Sequence, residues 1–381
     1  MEKLIIVGGG IGGLALAAGL KKLGMEVPVL EAAAEIRPVG AGIVLAHNAQ
    51  LALQHLGVYD TLKPRGMRIE QGTIRDNHGQ QLSQSIALAG DHYWLCIHRG
   101  HLHQGLMEHL SPDQVKLDAR VIRAEVLEDR VVLHGTNGQT WTAEHVIAFD
   151  GIHSAVRKAV APSTPTRYAG YTCWRGIVHD WQPDSLREAK EFTEVWGRGR
   201  RFGIVPIGEN KTYWFSTLNG PQDDPNFAQY KNKELQEVFR EFYEPVQESI
   251  ARTKPEHIFW NDILDIPPPT QLAYGRVILA GDAGHATTPN MGQGAGMALE
   301  DAATLAQLFK EALDWNTMGQ QYETLRLERT RWITRNSWTF GRVGQWQNPL
   351  AAGLRNKLMR AAPASASQKP LKKLASVNFG T

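Results

Sequence analysis

The stretch KLIIVGGGIGGLALAAGLKKLG, residues 3–24, decides the fold of this 381-residue chain. It opens with a short apolar run, Leu4 to Val7, that predicts a buried strand. Glycines then lead into a segment whose apolar positions recur at helical spacing, and Gly24 is a natural helix stop. The next segment, MEVPVLE at 25–31, predicts a second strand. A strand, a glycine turn, a helix and a strand therefore follow one another.

The glycines of this turn, the first glycine loop (residues 8–13), have the spacing of a dinucleotide-binding loop. Gly8 allows the tight turn, Gly10 lets the backbone approach a pyrophosphate, and Gly13 lets helix and strand pack closely. The phosphates then lie at the positive end of the helix, with Gly12 in its first turn. Glu31 follows Gly8 by 23 residues, where it can accept hydrogen bonds from a ribose hydroxyl. An acid there disfavours a 2′-phosphate, and these residues leave both FAD and NAD open.

A second glycine loop, GDAGHATTPNMGQGAG at 281–296, joins the strand-like RVILA to a helix-like run. Asp282 ends the strand and can bind hydroxyls of a ribityl-like chain; an Asx turn or helix cap is its structural alternative. Pro289 fixes a turn, and the following helix points its amides and positive dipole end at the loop. Glycines let the backbone approach a flat ring without Cβ interference. The positions predicted to contact such a ring are Gly292, Gly294 and Ala295.

The segment AEHVIAFDGIHSAVRKAV, residues 143–160, resembles the Asp-Gly motif of class A flavoprotein monooxygenases, the p-hydroxybenzoate hydroxylase fold family. The second glycine loop resembles that family's second flavin motif, and IHRGHLHQGLMEHL at 97–110 is similar to the segment that brings an arginine, Arg99, to the flavin. The motifs follow the family's order and span nearly the whole chain, although Phe149 stands where the family usually has a small residue. The positions that match the Asp-Gly motif are Asp150, Gly151, Ser154 and Arg157.

The resemblance implies an enzyme with FAD as cofactor and NADH or NADPH as electron donor. Its second glycine loop would hold the isoalloxazine, and O₂ would form a flavin C4a-hydroperoxide. That species would hydroxylate or epoxidise a small electron-rich molecule, aromatic or heteroaromatic. The chain has no second G-x-G-x-x-G and no close cysteine pair, so the nicotinamide would visit a shared surface. An FAD-dependent reductase of isoprenoid type and a non-catalytic flavin-binding regulator remain as alternatives.

Between Arg167 and about Gln271 the pattern changes to short aromatic and β-branched runs separated by turns, which predict an antiparallel sheet. Residues 232–251 predict one amphipathic helix over a face of that sheet. The predicted fold is mixed α/β: a discontinuous, Rossmann-like FAD-binding domain with an inserted antiparallel-sheet substrate domain. The predicted boundaries are 1–72, 98–167 and 272–345 for the FAD-binding domain, 73–97 and 168–271 for the substrate domain, and 346–381 for a C-terminal helix and flexible tail.

Candidate substrate residues come from this predicted sheet. Arg201 and Tyr213 stand on consecutive strands and could converge, the arginine to bind an anionic or enolate-like substrate and the tyrosine to orient or deprotonate it. Both match positions of urate-hydroxylating members of the family, which the chain also resembles in YAGY at 168–171. Those members carry an acid where this chain has Asn290. An amide cannot act as a general base, which argues against urate, and the branch that includes carotenoid epoxidases is equally similar. The structural alternatives are a surface cation for Arg201 and a core aromatic for Tyr213.

His47 follows GAGIVLA, and the resemblance places it near the ring, as a proton relay or as a satisfied structural histidine. The predicted catalytic set is therefore Arg201, Tyr213, Pro289 and His47. Further candidates for the pocket lining are Tyr171, Trp174 and Arg175, whereas His153 and His285 are assigned to structure.

Composition excludes several other classes of function. A net charge of +2 gives no basic excess for nucleic acid, and no apolar run approaches the ~18–20 residues of a spanning helix. Cys96 and Cys173 form no disulfide framework, which favours a reducing cytoplasm. We expect a monomer or homodimer with a small-molecule substrate, no metal site and no stable membrane association. The Trp- and Arg-rich region after Arg331 favours packing on the FAD-binding domain over a membrane-touching surface, and basic residues beyond Arg355 favour a solvated tail.

Overall fold

The computed structural model describes residues 1–35, 41–87 and 92–379. Its strands are β1 (Glu2–Val7), β2 (Val29–Leu30), β3 (Gly42–Leu45), β4 (Gly66–Ile69), β5 (Gln71–Asp76), β6 (Gln81–Ile86), β7 (Trp94–His98), β8 (Val115–Lys116), β9 (Val121–Val126), β10 (Val131–Gly135), β11 (Thr140–Ala148), β12 (Arg167–Val178), β13 (Glu191–Trp196), β14 (Arg200–Ile207), β15 (Lys211–Asn219), β16 (Phe259–Asp265), β17 (Ala273–Tyr274) and β18 (Val277–Leu279).

Its helices are α1 (Ile11–Lys22), α2 (His47–Leu56), α3 (Tyr59–Leu62), α4 (Arg99–Met107), α5 (Ala155–Val160), α6 (Asp184–Glu188), α7 (Pro225–Gln229), α8 (Asn232–Val238), α9 (Glu244–Arg252), α10 (Asp282–His285), α11 (Gly294–Lys310), α12 (Trp315–Gly344), α13 (Pro349–Ala361) and α14 (Ala364–Ala375). Short 3₁₀ turns lie at Lys63–Arg65, Thr136–Gly138, Pro255–His257 and Pro289–Met291. Within the described ranges, no helix is both long enough and apolar enough to cross a bilayer.

The first sheet has a parallel centre. Its main path runs β17-β18-β11-β1-β2-β8, with β9 and β10 attached to β11. β1 pairs in parallel with both β11 and β2, which explains why Leu4 to Val7 form an unbroken buried run. Helices α1 and α11 pack on one face, in a cluster of buried apolar side chains. The predicted mixed α/β fold is confirmed.

The second sheet has seven strands in the order β16-β12-β15-β14-β13-β5-β6. Most of its neighbours are antiparallel, as predicted, but β5 and β13 are parallel, with Gln71 opposite Glu191 and Asp76 opposite Trp196. The prediction of an antiparallel sheet therefore holds for every neighbouring pair except this one. β5 is reached from β4 rather than through a hairpin with β13, so no tight turn imposes the antiparallel direction.

One face of the second sheet is covered by α8 and α9, which pack on Trp174, Phe202 and Trp214. The prediction of a single helix over 232–251 was wrong, because the chain turns after α8 and α9 starts afresh with Pro245 in its first turn. Proline suits a first turn and breaks a helix interior. The opposite face of the sheet is left free to approach the second glycine loop.

A third sheet, β3-β7-β4, lies beside these two, and α12 to α14 complete the chain. Most of the segment beyond Pro363 is the helix α14, and the flexibility of the C-terminal tail stays a prediction. The Arg329 side chain donates hydrogen bonds to the carbonyls of Lys373 and Leu374, and the side chain of Phe379 is buried. Residues 380 and 381 of that predicted tail lie outside the described residues.

Candidate functional site

The first glycine loop has the backbone that its sequence predicts. Gly8 has φ +107°, a conformation that L side chains rarely adopt, and a Cβ on Gly13 would lie 2.0 Å from the Gly8 carbonyl oxygen. By contrast, no atom lies within 4 Å of the Cβ position on Gly10. Gly12 packs against the ring of Phe149. The large residue at position 149 is thus accommodated beneath the loop, and the space above Gly10 stays open.

Glu31 stabilises the same loop through both carboxylate oxygens. Oε2 accepts a hydrogen bond from the Gly9 amide and Oε1 accepts one from the Ala33 amide, each at 2.7 Å. Each carboxylate oxygen can accept a further bond, and the side chain is only partly buried. Glu31 can therefore hold the loop and bind a ribose hydroxyl at the same time.

Two helices, α1 and α11, begin at the glycine loops without a side-chain cap. Their N-cap residues are Gly10 and Gln293, and neither helix has an acidic residue in its first turn. The first amides of each helix consequently lack the oxygen partners that a Ser, Thr, Asp or Asn cap supplies. Space is also open beside Gly292 and Gly294, where an added Cβ would meet no atom within 4 Å. The two helix ends are suited to anionic or electron-rich groups of a ligand.

Arg99 and Asp282 are charged side chains without hydrogen-bond partners among the described residues. The Arg99 Nε atom is buried and unpaired, and no described hydrogen bond reaches the Asp282 carboxylate. Burial lowers the pKa of Arg99, and the charge of Arg175 adds to the effect while Asp282 opposes it. Asp282 remains exposed to solvent, yet enclosure by protein raises its pKa against the charges of His285 and Arg99. A cation and an anion without hydrogen-bond partners among the described residues therefore lie within range of each other's charge, and we call the space around these two side chains the cleft.

Asp150 and Arg157 hold the backbone around this cleft. Asp150 Oδ2 accepts hydrogen bonds from the amides of Ala155 and Val156 at the start of α5, and Oδ1 is buried without a partner. The Arg157 side chain donates to the carbonyl of Ala283 at 3.0 Å. Gly151 has φ +80° with open space beside it. Asp150 thus binds the first amides of α5, and its Oδ1 is a buried acceptor without a partner.

A buried charge network lies on the other side of the second glycine loop. Arg326 donates from Nε to Asp301 Oδ1 at 2.7 Å and from Nη1 to Glu300, and all three side chains are fully buried. Asp301 Oδ2 also lies 2.6 Å from His285 Nε2 and accepts the Gly281 amide at 2.8 Å. Burial acts to raise the pKa of Asp301, but His285 and Arg326 outweigh it and hold the pKa at about 2. His285 thus has the structural role expected of it.

Asn48 and Arg329 attach two more elements to this network. Asn48 Nδ2, in the first turn of α2, donates to Gln293 Oε1 at 2.9 Å and to Glu300 Oε1 at 2.5 Å. Arg329 donates to Glu300 from α12. The start of α11 is therefore fixed from two sides.

Arg201 is buried rather than exposed, at 2% of its accessible surface. Its guanidinium donates to Glu194 Oε1 at 2.9 Å, Gln345 Oε1 at 3.0 Å and Asn290 Oδ1 at 2.6 Å. The alternative of a surface cation is wrong, because these three acceptors draw the side chain inward. Burial raises the pKa of Glu194, with the Arg201 charge opposing the rise. In its ionised form Glu194 cancels the charge of Arg201.

Asn290 connects this pair to the second glycine loop and to β12. Its side chain lies 3.0–3.1 Å from the Tyr171 hydroxyl and donates to Thr288 Oγ1 at 2.7 Å and to the Ser337 carbonyl at 2.9 Å. A Cβ on Gly341 would overlap the Asn290 amide. The amide is therefore held in one place by four elements of the chain.

Tyr213 faces the same side of the sheet as Arg201 but does not meet it. Arg201 is opposite Thr217 and Tyr213 is opposite Val205, so the two are four residues apart along the strands, roughly 13 Å. The Tyr213 hydroxyl has no hydrogen bond among the described residues, and its ring packs against Gly42 of β3. The two side chains therefore share a face of the sheet but do not converge as predicted. The partly exposed ring of Phe215 lies between them.

Residues Tyr171 and Arg175 of β12 lie on this face, whereas Trp174 does not. Trp174 is opposite Ser216 and is fully buried beneath α7 to α9, where its indole donates to the Phe227 carbonyl. The expectation that Trp174 lines the pocket was wrong, because alternate residues of a strand point to opposite faces. Residues 171, 173 and 175 share one face.

His47 and Pro289 are the other two residues of the predicted catalytic set. His47 is the first residue of α2, and its ring centroid lies 3.7 Å from that of His92. Burial and the neighbouring His92 lower its pKa, which favours the neutral imidazole. Pro289 is exposed and begins a short 3₁₀ turn. His153 is exposed on the Asp-Gly loop.

Comparisons with known proteins agree with this geometry. A family model described as "FAD binding domain" matches residues 2–337. The aurachin C monooxygenase/isomerase of Stigmatella aurantiaca is 35% identical over 362 residues, covering 94% of this chain and 93% of that protein. The 2-heptyl-3-hydroxy-4(1H)-quinolone synthase of Pseudomonas aeruginosa is 35% identical over 378 residues, covering 96% of each.

The FAD-dependent urate hydroxylase of Klebsiella pneumoniae is 34% identical over 337 residues, covering 86% of this chain and 87% of that protein. The crystal structure of Klebsiella pneumoniae HpxO complexed with FAD and uric acid is 29% identical. It has a TM-score of 0.91, with 100% of this chain and 98% of that chain covered.

Proposed function

The chain belongs to the FAD binding domain family, and on that premise we propose that it is an FAD-dependent monooxygenase whose electrons come from NADH or NADPH. The observation that carries the proposal is the pairing of two uncapped helix ends with the unpartnered charges of Arg99 and Asp282. Unpaired buried or enclosed charges are costly, so they indicate a ligand that completes them.

The residues present fit FAD. In our proposal Glu31 binds the adenosine ribose, the first glycine loop binds the pyrophosphate and Asp282 binds the ribityl hydroxyls. Arg99 supplies a positive charge beside the cofactor, and the start of α11 stabilises negative charge on the ring. When bound, FAD supplies the redox and oxygen chemistry.

The proposed division of labour follows the predicted boundaries. Residues 1–72, 98–167 and 272–345 bind FAD, and residues 73–97 and 168–271 form the roof of the substrate pocket. Pro289 and His47 flank the ring, with neutral His47 able to accept a proton. Burial of Cys96 and Cys173 as free thiols supports a reducing, cytoplasmic setting.

We propose a neutral, planar heteroaromatic substrate of the 4-quinolone class, carrying an apolar substituent. Two relatives that match nearly the whole chain have quinolone or aurachin chemistry in their names. Asn290 is an amide rather than a carboxylate and its groups are taken up by neighbouring residues, and Glu194 offsets the charge of Arg201, so this end of the pocket does not select an anion. The ring of Phe215, between Arg201 and Tyr213, gives an apolar surface on which a flat ring can stack.

The first test is whether the purified protein holds a flavin and uses it. We expect visible flavin absorbance that NADH or NADPH bleaches without oxygen. With oxygen, we expect a 2-alkyl-4-quinolone to speed nicotinamide oxidation and to gain one oxygen atom by mass spectrometry. Urate in the same assay is the matched comparison, and we expect it to act poorly.

Two outcomes would overturn the proposal. If the protein bound no FAD, the cofactor assignment would be wrong. If FAD were bound and reduced but every compound gave only peroxide or a saturated product, the monooxygenase assignment would give way to a reductase.

A further inference from the structure

Helix α13 exposes a row of leucines that nothing in the described structure covers. Leu350, Leu354 and Leu358 are 84%, 55% and 60% exposed, and their spacing of four residues places them along one side of the helix. Trp346, just before the helix, is a further exposed aromatic at 38%. Single exposed leucines are ordinary, but a contiguous apolar row indicates a surface that something else covers. We call Trp346 and these three leucines the leucine face.

The helix cannot turn this face inward, because its other side is fixed. Arg355 is 3% exposed, and its guanidinium donates to the carbonyls of Gly344 at 2.9 Å and Gly197 at 3.1 Å. The same guanidinium lies 5.2 Å from the centre of the Trp196 ring. Asn348 caps the helix, with its side chain accepting hydrogen bonds from the amides of Leu350 and Ala351. The leucine face therefore has one fixed orientation, outward.

The chain around the leucine face is basic and contains no acid. Residues 329–381 include ten Lys and Arg and no Asp or Glu, whereas the whole chain has a net charge of +2, which leaves 2 − 10 = −8 for residues 1–328. Lys357 is exposed beside the leucines, and Arg342 and Lys372 are exposed on the flanking helices. The acids that neighbouring elements bring near α13 already have partners, Asp76 with Arg360 and Glu241 with Arg200.

We propose that the leucine face is a reversible docking surface for a membrane that contains anionic phospholipid. An exposed apolar row with a basic surround is the pattern of helices that lie in the interface, and a tryptophan at its edge suits the headgroup level. A second copy of the chain fits less well, since a two-fold contact through this face would bring two acid-free basic surfaces together. The docking itself does not depend on the proposed function. Its benefit to the enzyme rests on that function, because an apolar substrate partitions into lipid and docking would bring the protein to it.

A cavity lies beside α13, between this helix and the end of the second sheet. It has a volume of about 230 Å³ and is lined by Trp196, Phe242 and Pro349 together with charged side chains of Arg198, Arg200, Glu241 and Arg355. Trp196 is also a neighbour of Arg201, whose guanidinium carbon is 6.0 Å from its ring centre. A docked α13 would thus lie on the side of the molecule that carries Arg201, at one end of the proposed substrate pocket.

The test is co-sedimentation of the full-length, FAD-loaded protein with vesicles of phosphatidylcholine alone and of phosphatidylcholine mixed with phosphatidylglycerol. We expect binding to the mixed vesicles, weakened by salt, and little binding to phosphatidylcholine. The variant Leu350→Ser/Leu354→Ser/Leu358→Ser should bind at least about tenfold more weakly, because each serine removes apolar surface that the membrane would bury. The control Leu117→Ser/Ile122→Ser/Leu127→Ser replaces three other exposed apolar residues, 42%, 57% and 41% exposed, around β9 and should bind like the wild type.

Three results would overturn the proposal: equal sedimentation with and without vesicles, equal binding of the two triple variants, or a dimer in solution that the α13 variant turns into a monomer. Flavin absorbance and nicotinamide oxidation with a short-chain, water-soluble quinolone are recorded on the same samples. Activity without vesicle binding would leave the proposed function intact and end the docking proposal. Vesicle binding without activity would support the docking proposal and contradict the proposed function.

Discussion

Two groups of charged side chains lie on either side of the second glycine loop, and they differ in whether their charges are paired. On one side, Arg326 is bonded to both Glu300 and Asp301. On the other side, Arg99 and Asp282 influence each other's pKa but have no hydrogen-bond partner in the described structure. The paired group is fully buried, whereas Arg99 is partly buried and Asp282 is exposed; an unpaired charge is costly to the extent that protein shields it from water.

The difference separates architecture from ligand binding. The paired group fixes Gly281 and the start of α11, and it is complete without any other molecule. In the proposed function, a ligand supplies the donors and acceptors that the unpaired group lacks. Removing a charge from the first should therefore cost stability, whereas removing one from the second should cost ligand affinity. Four experiments test this distinction.

The largest effect is expected from Arg326→Ala. It leaves Glu300 and Asp301 buried without their main cation, so the free energy of unfolding should fall by about 3–5 kcal/mol. Urea denaturation of the FAD-free protein measures the change. Arg342→Ala, on the exposed side of the same helix, is the control and should change stability by less than about 0.5 kcal/mol. A loss below about 1 kcal/mol for Arg326→Ala would mean that the network is not structural.

The second experiment follows the same network with pH. The folded pKa of Asp301 is about 2, below its ordinary value of 3.8. Its stabilisation is therefore fully present above about pH 4 and is lost as the pH falls towards 2, where the group takes up a proton; the total is roughly 2 kcal/mol. Asp301→Asn should flatten stability over this window in acid titrations followed by circular dichroism. Exposed Asp113→Asn should keep the wild-type slope, and an unchanged slope in Asp301→Asn would contradict the assignment.

The third experiment addresses the unpaired side. Arg99→Ala should weaken FAD binding about tenfold to a hundredfold, or roughly 1.5–3 kcal/mol, because a charge-assisted contact is lost. The apoprotein should be as stable as the wild type or more so, since an unpartnered buried cation is removed. Flavin fluorescence quenching measures the affinity for FAD, and urea denaturation measures the stability of the apoprotein. Arg65→Ala, whose surface partner is Glu108, is the matched arginine control. A stability loss with unchanged FAD affinity would reverse the distinction.

The smallest effect concerns Arg201, which is paired and which the proposed function places at one end of the substrate pocket. Glu194→Gln removes the charge that offsets Arg201, so affinity for a urate-like anion should rise about tenfold, roughly 1.4 kcal/mol, while that for a neutral quinolone should not. Titration with each ligand, followed through the absorbance of the bound flavin, measures both affinities. Glu191→Gln on the same strand also leaves an arginine, Arg75, without its acid, but it lies on the other face and should change neither affinity. Equal affinities in Glu194→Gln and the wild type would show that Glu194 does not set the charge of the pocket.

Much of the cofactor side could be predicted from sequence because its signals are local. The first glycine loop and Glu31 directly follow β1 and β2, as the strand–turn–helix order requires, whereas Asp282 does not end a strand but is the first residue of α10, three residues after β18 ends at Leu279. A sequence motif does not show which residues distant in the chain form ion pairs with one another. Glu194 carries no motif, and its contact with Arg201 depends on the hairpin register of β13 and β14.

The errors have similar causes. Trp174 and Arg175 are neighbours in sequence, and only the register of β12 tells which of them faces the cleft. The network of Arg326, Glu300 and Asp301 was missed because its members are separated along α11 and α12 and look like the charges of any long helix. Adjacent Glu and Asp residues within an otherwise apolar helix, as at 300–301, were the available signal, since such acids are buried only when they are paired.

The parallel pairing of β5 with β13 also bears on how the chain folds. Residues 71–76 join the second sheet only after residues 191–196 have been made, and β14 and β15 follow from there. Such distant, parallel contacts form slowly, because a long loop must close before they gain stability. The second sheet is therefore built from β5 and β6, which precede β7 in the chain, and from β12 to β16, which follow β11. Neither stretch of the chain forms the complete sheet alone. We expect the FAD-free protein to unfold in a single cooperative transition, and a chain cut between β6 and β12 to require both pieces for refolding.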